Sequence, residues 1–335
     1  MRVITKKKAL MAVLALSLIL MIMNLSAFSK SKTGGRAGVV VATINMYNSN
    51  KLWRERLERI AQLIVENNID IIGLQEVRTI EKEGGLNQLT ELMSKLPTDY
   101  SYVYEKFMVV GDPNQGGAVV EEGLAIVSKY KINSVRKLHQ ISKTKNWNNR
   151  LCLNGLVDLG FSVLDFYVTH QAIDPVDQCQ KMGEVLTFTN HNAMLNQVLL
   201  GDFNTYYDFP YPMDLMTSND GLSFHHNKFQ NKNCNQECQK AKFDQCVSIL
   251  DNKHSNKRPF VDAWEHLKND EPGHTFTNYK DQDMSRPDRI LFRGGVEQDF
   301  IAQDIQVIGD TPLPGHGDVY ISDHRMVVLQ LTIML

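Results

Sequence analysis

The segment Asp70-Ile71-Ile72-Gly73-Leu74-Gln75-Glu76 is a short apolar run that stops at an amide and a carboxylate. Its length and its β-branched residues predict a buried β-strand. An earlier run, Val39-Val40-Val41-Ala42-Thr43-Ile44, has the same character and is followed by Asn45. Between the two runs, apolar residues recur at helical spacing from about Lys51 to Glu66, which predicts an amphipathic helix. The sequence thus begins its core with a strand, a helix and a second strand.

The alternation of short apolar runs with amphipathic stretches continues along the chain, without a long linker rich in Gly, Ser or Pro. A second helix is predicted over about 86–96. A third begins where Asp174 caps and Pro175 fills the first turn, and it ends near Asn190. Further strands are predicted at 100–104, 123–128, 152–158, 162–170, 197–201, 289–292 and 325–331. This order of elements favours one compact α+β domain over residues 38–335.

The composition is ordinary for a globular protein. The chain has 335 residues, of which 43% are hydrophobic and 22% charged, so disordered, collagen-like and small disulfide-scaffold classes are excluded. No period of 20 to 50 residues is visible, which argues against a repeat solenoid. The net charge is -2, and without the first 27 residues it is -6, with 32 basic against 38 acidic residues. This lack of a basic surplus is a weak argument against nucleic-acid binding, because a basic groove can occur on an acidic protein.

Residues 1–27 have the three-part layout of a secretory signal: a basic start, an apolar run from Ala9 to Met23, and the small-residue stretch Leu25-Ser26-Ala27. The run is short for a spanning helix, which needs roughly 20 residues, although Asn24 to Phe28 could extend it. A cleaved signal peptide is the leading interpretation, an uncleaved signal anchor the second and a buried core helix the third. The protein is therefore predicted to be secreted, lumenal or bound to a membrane by this segment, with residues 28–37 as a linker.

The cysteines are compatible with an oxidising compartment, in which up to two disulfides could form. They are Cys152, Cys179, Cys234, Cys238 and Cys246. The last three fall in a polar stretch over 214–258, which we interpret as an excursion from the core. Histidines at 225, 226 and 254 make a structural zinc site an alternative there. A loop tied by a disulfide is favoured, because no second close pair completes the Cys-x3-Cys spacing.

Several predicted strand ends carry side chains suited to hard cations and phosphate. Asn45 and Glu76 follow the first two strands, Asp202 and Asn204 follow the strand at 197–201, and Asp323-His324 precedes the last strand. Carboxylate and amide oxygens are the ligands that Mg²⁺ prefers. Any one of these residues alone is more often a turn or a cap. Their recurrence at strand ends indicates a common site.

The sequence resembles the endonuclease/exonuclease/phosphatase superfamily, which includes type I deoxyribonucleases, abasic-site endonucleases, inositol polyphosphate 5-phosphatases and neutral sphingomyelinases. The resemblance spans Val39 to Leu331. It implies a four-layer α/β/β/α sandwich of class α+β, with two mostly antiparallel sheets face to face, helices outside and the site at one end. The matching segments, in the order that the family has them, are Thr43-Ile44-Asn45, Gly73-Leu74-Gln75-Glu76-Val77, 122–130 beginning Glu122-Gly123-Leu124, Thr169-His170, Gly201-Asp202-Phe203-Asn204, Arg286-Pro287-Asp288-Arg289-Ile290-Leu291 and Ser322-Asp323-His324-Arg325.

The resemblance implies a divalent-metal site. Glu76 would be the main ligand of Mg²⁺, assisted by Asn45 and Asp323, with Mn²⁺ as a substitute ion. The ion would polarise a phosphoryl oxygen and neutralise charge in the transition state.

The resemblance also implies the catalytic residues. Asp202 would orient or deprotonate the attacking water, and Asn204 would hold the phosphate. His324 would stabilise phosphoryl oxygens or relay a proton, and Asp288 would bond its ring and fix the tautomer. His170 would contact phosphate or act as general acid on the leaving group.

Arg150 resembles an arginine that some members place against phosphate, although its local motif fits a surface arginine equally well. Tyr47 stands where abasic-site endonucleases have an acidic residue, which argues against that activity.

The sequence therefore predicts a secreted or lumenal Mg²⁺-dependent hydrolase of phosphate esters. A phospholipid headgroup or a small phosphate ester is favoured as the substrate, and an extracellular deoxyribonuclease is the alternative. A catalytically inactive binding module is the third possibility, against which the intact site residues argue. No obligate protein partner can be read from the sequence.

Overall fold

The computed structural model describes residues 36–49, 51–80, 88–112, 118–141, 149–206, 211–218, 244–246, 248, 258–278, 282–296 and 300–334. Residues Ala37–Met334 form one compact unit. The predicted targeting segment 1–27, nearly all of the linker and most of the excursion lie outside the described residues. Within the described part, no helix is long and apolar enough to cross a membrane.

Strands dominate the described chain, and five helices accompany them. The strands are β1 (Arg36–Asn45), β2 (Ile71–Ile80), β3 (Ser101–Asp112), β4 (Ala118–Ser128), β5 (Lys131–Gln140), β6 (Arg150–Asp158), β7 (Val163–His170), β8 (Asn196–Asp202), β9 (Val261–Asp262), β10 (Phe276–Asn278), β11 (Gln282–Ser285), β12 (Asp288–Arg293), β13 (Phe300–Ile308) and β14 (Met326–Met334). The helices are α1 (Trp53–Glu66), α2 (Gln88–Lys95), α3 (Pro175–Asn190), α4 (Tyr211–Thr217) and α5 (Ala263–Leu267).

The strands form two six-stranded sheets and one hairpin. Sheet I has the order β13-β14-β1-β2-β4-β3, and sheet II has the order β5-β6-β7-β8-β12-β9. Each contains a parallel pair at its centre, β1 with β2 and β7 with β8. In sheet I the antiparallel pairs are β2/β4, β3/β4 and β13/β14. In sheet II they are β5/β6, β6/β7, β8/β12 and β9/β12. Strands β10 and β11 pair separately.

Three hydrophobic clusters define four layers. The inner cluster joins residues of both sheets, such as Val41 and Ile126 with Phe166 and Leu200. A second cluster packs helices α1 and α2 on the outer face of sheet I, and a third packs α3 and α4 on the outer face of sheet II. Because each sheet is covered by apolar side chains on both faces, its central strands are almost wholly apolar in sequence. The α/β/β/α sandwich of class α+β is confirmed.

The observed elements differ from the predicted ones mainly at the sheet edges. Strands β5 and β13 were not predicted, and their burial alternates between exposed and covered positions because each lies at the edge of a sheet. Strand β1 begins at Arg36, two residues before the predicted domain boundary. Helix α4 extends into the predicted excursion, where Leu215 and Met216 are buried in the core.

One disulfide, between Cys179 of α3 and Cys246, links the excursion to the helical layer of sheet II. It agrees with the expectation of a disulfide-tied loop and uses Cys246, which the zinc alternative required. Among the described residues Cys152 is a free, buried thiol. The other two cysteines and the three histidines of the zinc alternative lie outside the described residues.

Candidate active site

The predicted site residues meet because the carboxyl ends of two parallel strand pairs lie at one end of the sandwich. In sheet I, Asn45 is in register with Gln75, one residue before Glu76. In sheet II, His170 is in register with Asp202, and Asp202 is also paired across β12 with Asp288. Pairing register therefore places residues that are far apart in sequence on a single edge.

Asp202 lies at the centre of this group and is almost fully buried, with 1% of its surface exposed. Its Oδ2 accepts a hydrogen bond from Nδ2 of Asn45 at 3.0 Å. The same oxygen lies 3.5 Å from Nε2 of His170 and 3.8 Å from Nε2 of His324. Its Oδ1 accepts from the backbone N–H of Asn204 at 2.8 Å. One carboxylate thus joins side chains from both sheets.

Glu76 is presented by an irregular backbone. The pairing of β2 with β4 shifts register between Leu74 and Val77, and Glu76 has a φ of 55°. A bulge of this kind re-aims a side chain, and left-handed φ at a non-glycine residue is typical of functional sites. Glu76 is partly exposed, and its carboxylate accepts from Nδ2 of Asn45 at 3.1 Å and from the backbone N–H of Asn48 at 2.8 Å.

Asn45 uses its amide nitrogen, at 3.1 and 3.0 Å, to bridge Glu76 and Asp202. Its Oδ1 accepts from the backbone N–H of Tyr47 at 3.0 Å. In this arrangement Asn45 orients two carboxylates and does not turn its oxygen towards them. The assignment of Asn45 as a metal ligand stays a prediction.

His324 and Asp288 meet as expected from the resemblance. Nδ1 of His324 lies 2.7 Å from Oδ2 of Asp288, which also accepts from the hydroxyl of Thr275 at 2.6 Å. Because Nδ1–H of His324 donates to Asp288, Nε2 is the nitrogen that faces Asp202, and it carries a proton of its own only when the ring is protonated. The ring of Phe276, on the hairpin strand β10, packs against the His324 ring with centroids 4.9 Å apart.

Burial and neighbouring charge shift the pKa values of this group. Burial alone lowers the pKa of His324, but Asp288 and Asp202 outweigh it and raise that pKa to about 10. Burial raises the pKa of Asp202 to about 6, although the charge of His324 opposes the shift. Near neutral pH the arrangement therefore holds a protonated imidazole beside an ionised carboxylate.

Glu122 was not assigned a role from the sequence, although it begins one of the matching segments. It is 6% exposed on β4, and its Oε1 lies 3.8 Å from Nδ1 of His170. Nδ2 of Asn48 donates to its other oxygen at 2.7 Å. Burial and the charge of Glu76 raise the pKa of Glu122 to about 8, so the carboxyl is largely protonated at neutral pH.

His170 shows the opposite shift. Burial, Arg150 and His324 hold its pKa well below the ordinary value of 6.5, so the ring is neutral near pH 7. A neutral imidazole thus lies beside a largely protonated carboxyl, and the 3.8 Å between Nδ1 and Oε1 is longer than a hydrogen bond.

Arg150 is 4% exposed, which rules out the surface alternative. Its Nε donates to the carbonyl of Gln171 at 2.8 Å, and its guanidinium lies 5.9 Å from the centroid of the Phe107 ring. Glu122, Asp202 and other carboxylates interact with its charge. The structure thus brings Arg150 to the site.

Asp323 is half-buried next to His324. Burial raises its pKa, and the negative charge of Glu76 adds to that rise while His324 opposes it. Such mutual destabilisation of carboxylates is relieved by a shared cation. Among the described residues, two groups bring three potential ligand atoms within 4.8 Å of one another: Glu76, Glu122 and His170, and Asp202, Asp288 and His324. Asp323 is in neither group, so its assignment as a metal ligand stays a prediction. The carboxylate oxygens of Glu76 fit a hard divalent cation.

The sequence matches the model of the Endonuclease/Exonuclease/phosphatase family over residues 42–324. The chain belongs to this family. It is accordingly a phosphoric ester hydrolase. No curated protein matches the sequence.

Solved structures with this fold include D. rerio TDP2 in complex with a single-strand DNA product. That protein is 14% identical with a TM-score of 0.59, and the match covers 88% of this chain and 99% of that one. An endonuclease/exonuclease/phosphatase family protein from Bacteroides thetaiotaomicron is 18% identical with a TM-score of 0.57, over 90% and 96% of the two chains. A mannosyl-6-phosphatase from B. thetaiotaomicron VPI-5482 is 20% identical with a TM-score of 0.52, over 88% and 99%. At these identities the likeness shows the fold.

The family match includes every residue to which the sequence assigned a role. What sequence reasoning missed is the set of polar neighbours, Glu122, Asn48, Thr275 and Tyr206. Only Glu122 carried a signal, because it is a carboxylate at the start of a matching segment.

Proposed function

We propose that the protein is a Mg²⁺-dependent enzyme that hydrolyses a phosphodiester or phosphomonoester by in-line attack of water. The observation that supports this best is the position of Asp202. One of its oxygens lies within 3.8 Å of nitrogen atoms from Asn45, His170 and His324. A carboxylate with a pKa of about 6 can accept a proton from water at neutral pH.

His324 and Asn204 bind the phosphate during attack. The protonated ring of His324 donates its Nε2–H to a phosphoryl oxygen, and Asp288 holds the ring through Nδ1. Glu76 and Asp323 would hold the divalent ion. When bound, the ion neutralises negative charge that develops on the phosphoryl group.

His170 and Glu122 face the leaving group. As the new P–O bond forms and the ester P–O bond breaks, His170 donates a proton to the departing alkoxide oxygen. Glu122 gives its own proton to Nδ1 of His170 in the same step, which requires its Oε1 to approach more closely than the present 3.8 Å. Asp202 takes up the proton of the attacking water, and this proton returns through solvent to Glu122 after product release, which closes the cycle.

For the substrate we propose a small phosphate ester or a phospholipid headgroup. The net charge of -6 beyond residue 27 supports this choice over a long polyanion. One solved structure of similar fold is named as a mannosyl-6-phosphatase, which supports a sugar phosphate as one such ester. A nuclease is the second candidate, which the DNA product bound to D. rerio TDP2 favours.

A substrate panel tests both candidates. We expect hydrolysis of bis-p-nitrophenyl phosphate with Mg²⁺ and its loss with EDTA. Sphingomyelin, inositol phosphates, a sugar phosphate, plasmid DNA and RNA are then compared at equal concentration. Preference for DNA would replace the first substrate proposal, and EDTA-resistant hydrolysis would contradict the metal requirement.

Glu76→Gln tests the metal site directly. Because hydrated Mg²⁺ is usually held by one or two carboxylates, loss of this charge should remove most of the metal affinity while leaving the fold intact. We expect activity to fall by several orders of magnitude, with little rescue by added Mg²⁺. Glu66→Gln, on the exposed surface of α1, is the matched control. A near-normal rate of Glu76→Gln at low Mg²⁺ would exclude the assignment.

We also propose that the protein is secreted or lumenal, or else anchored to a membrane by residues 1–27. The Cys179–Cys246 disulfide supports an oxidising compartment.

A further inference from the structure

Tyr206 lies two residues beyond Asn204, in the segment that follows β8. Its phenol oxygen donates to Oδ1 of Asn204 at 2.9 Å. Its ring packs edge-on against Phe276, with centroids 6.2 Å apart, and Phe276 in turn packs against His324. Tyr206 is therefore held from two sides at the site.

The contacts of Asn204 leave one group of its carboxamide for a ligand. Its oxygen accepts from Tyr206, and its nitrogen donates to the backbone carbonyl of Gln171 at 2.9 Å. A carboxamide has one oxygen and two N–H groups, so among the contacts of the described residues a second N–H remains. Rotation of the amide by half a turn would place its oxygen against the Gln171 carbonyl, which is repulsive, and would place its NH₂ group against the phenol.

The backbone of Asn204 is also held in an uncommon state. Its φ is 49°, its N–H bonds Asp202, and Gln178 donates a hydrogen bond to its carbonyl. A residue in left-handed φ persists only where its surroundings fix it. The main chain is thus secured by Asp202 and Gln178, while the side-chain orientation depends on Tyr206 and Gln171.

We infer that Tyr206 is a positioning residue, whose hydroxyl fixes the Asn204 carboxamide so that an N–H and not the oxygen faces the phosphate. This inference rests on the proposed function. An N–H stabilises charge on a phosphoryl oxygen, whereas an amide oxygen in its place would repel it. Donation requires a protonated phenol. Burial, followed by the charge of Asp202, raises the pKa of Tyr206, which keeps the hydroxyl protonated over the working range of pH.

Tyr206→Phe tests the inference, because it keeps the ring contact with Phe276 and removes only the hydroxyl. A neutral hydrogen bond has a modest net value, so we expect kcat to fall about 2- to 10-fold with KM nearly unchanged. Tyr102→Phe, at an exposed tyrosine of β3, is the control and should leave both constants unchanged. A change in KM alone, or equal effects of the two variants, would overturn the inference.

A double-variant cycle separates positioning through Asn204 from a general structural effect. In the Asn204→Ala background, Tyr206→Phe should cause no further loss of kcat, because the group that it positions is gone. Thermal unfolding of each variant shows whether the fold is retained. Equal fold-losses in both backgrounds would mean that Tyr206 acts independently of Asn204.

An NMR measurement that does not depend on catalysis distinguishes failure of this inference from failure of the proposed function. In protein labelled with ¹⁵N-asparagine, the side-chain NH₂ signal of Asn204, assigned with Asn204→Asp, should shift when inorganic phosphate and Mg²⁺ are added. The shift should be smaller in Tyr206→Phe. Absence of a shift in the unmodified protein would overturn the inference. An intact shift without hydrolysis of any substrate would instead contradict the proposed function.

Discussion

His324, which precedes β14, and Asp288, the first residue of β12, are 36 positions apart in sequence, yet Nδ1 and Oδ2 lie 2.7 Å apart. If Asp288 acts by orienting the ring, Asp288→Asn should keep the geometry and favour the wrong imidazole tautomer. The same change in a hydrolase triad costs about 10⁴ in rate, and we expect a loss of that order. His324→Ala should cost at least as much. Residues that act as one unit are non-additive, so the double variant should be scarcely slower than His324→Ala.

Turnover of the two single variants and the double variant is measured at saturating Mg²⁺. Fully multiplicative losses would show that Asp288 and His324 act independently. In that case the role of Asp288 in holding the ring would have to be abandoned.

The pH dependence of stability and of activity follows from the same pair of residues. The pKa of His324 is raised from 6.5 to about 10, so its charged form stabilises the folded state. This contribution is fully present below about pH 6.5 and is lost as pH rises through about 10. Activity that needs the protonated ring should fall over the alkaline part of this range. It should also fall below about pH 6, where Asp202 becomes protonated.

The measurements are kcat and the free energy of unfolding from about pH 5 to pH 11, made on the unmodified protein and on His324→Gln. The alkaline decrease should be absent from the unfolding free energy of His324→Gln. An unchanged decrease in that variant would assign the titration to another group.

Much of the site could be predicted at the level of single residues, because an apolar strand that stops at Asp202 or Glu76 is visible in sequence. The polar neighbours of these residues could not be predicted in this way. Asn48 and Tyr206 lie in segments without periodic pattern, and Glu122 precedes an apolar run instead of ending one. Glu122 meets Asn48 and, in the other sheet, His170, and the ring of Tyr206 meets Phe276 of the hairpin. These contacts join segments far apart in the chain, and sequence spacing does not encode them.

At the scale of elements, β7 and β8 must approach closely for His170 to face Asp202. Gly201 on β8 allows this. A Cβ at that position would lie 1.9 Å from the backbone oxygen of Thr169, and its φ is 141°. Because a backbone oxygen cannot rotate away, Gly201→Ala should separate the strands next to the site. We expect destabilisation of about 1 to 3 kcal/mol or more, with a loss of activity.

Gly38→Ala is the matched control, since a Cβ on that residue of β1 would have only the Leu331 oxygen at 3.9 Å. Denaturant unfolding and kcat are measured for both variants. Equal stability of Gly201→Ala and the unmodified protein would show that the close approach of β7 and β8 is not required.

The central strands were predictable, whereas of the edge strands only β3 was predicted, in part, at 100–104, and β5, β9 and β13 were not. Central strands such as β2 and β8 are covered on both faces and read as apolar runs. Strand β5 lies at an edge and carries mostly exposed polar residues, so its sequence resembles a loop. The hairpin of β10 and β11 is too short to show any period.

At the scale of the whole molecule, the Cys179–Cys246 disulfide closes a separation of 67 residues. A crosslink over so long a loop restricts the unfolded chain strongly, and loss of a native disulfide typically costs about 2 to 5 kcal/mol. This contribution exists only if the chain folds where thiols are oxidised. The predicted signal in residues 1–27 would deliver the chain to such a compartment.

The last prediction combines both features. Expressed in full in a eukaryotic cell, the protein should enter the secretory pathway, and secreted material should begin near Phe28. In that material the peptides of Cys179 and Cys246 should react with maleimide only after reduction. A version that starts at Phe28 and stays in the reducing cytosol is the control, and its two thiols should react without reduction. Membrane-bound protein with an intact N-terminus would favour the signal anchor, whereas soluble cytosolic protein that keeps Met1 would refute targeting altogether.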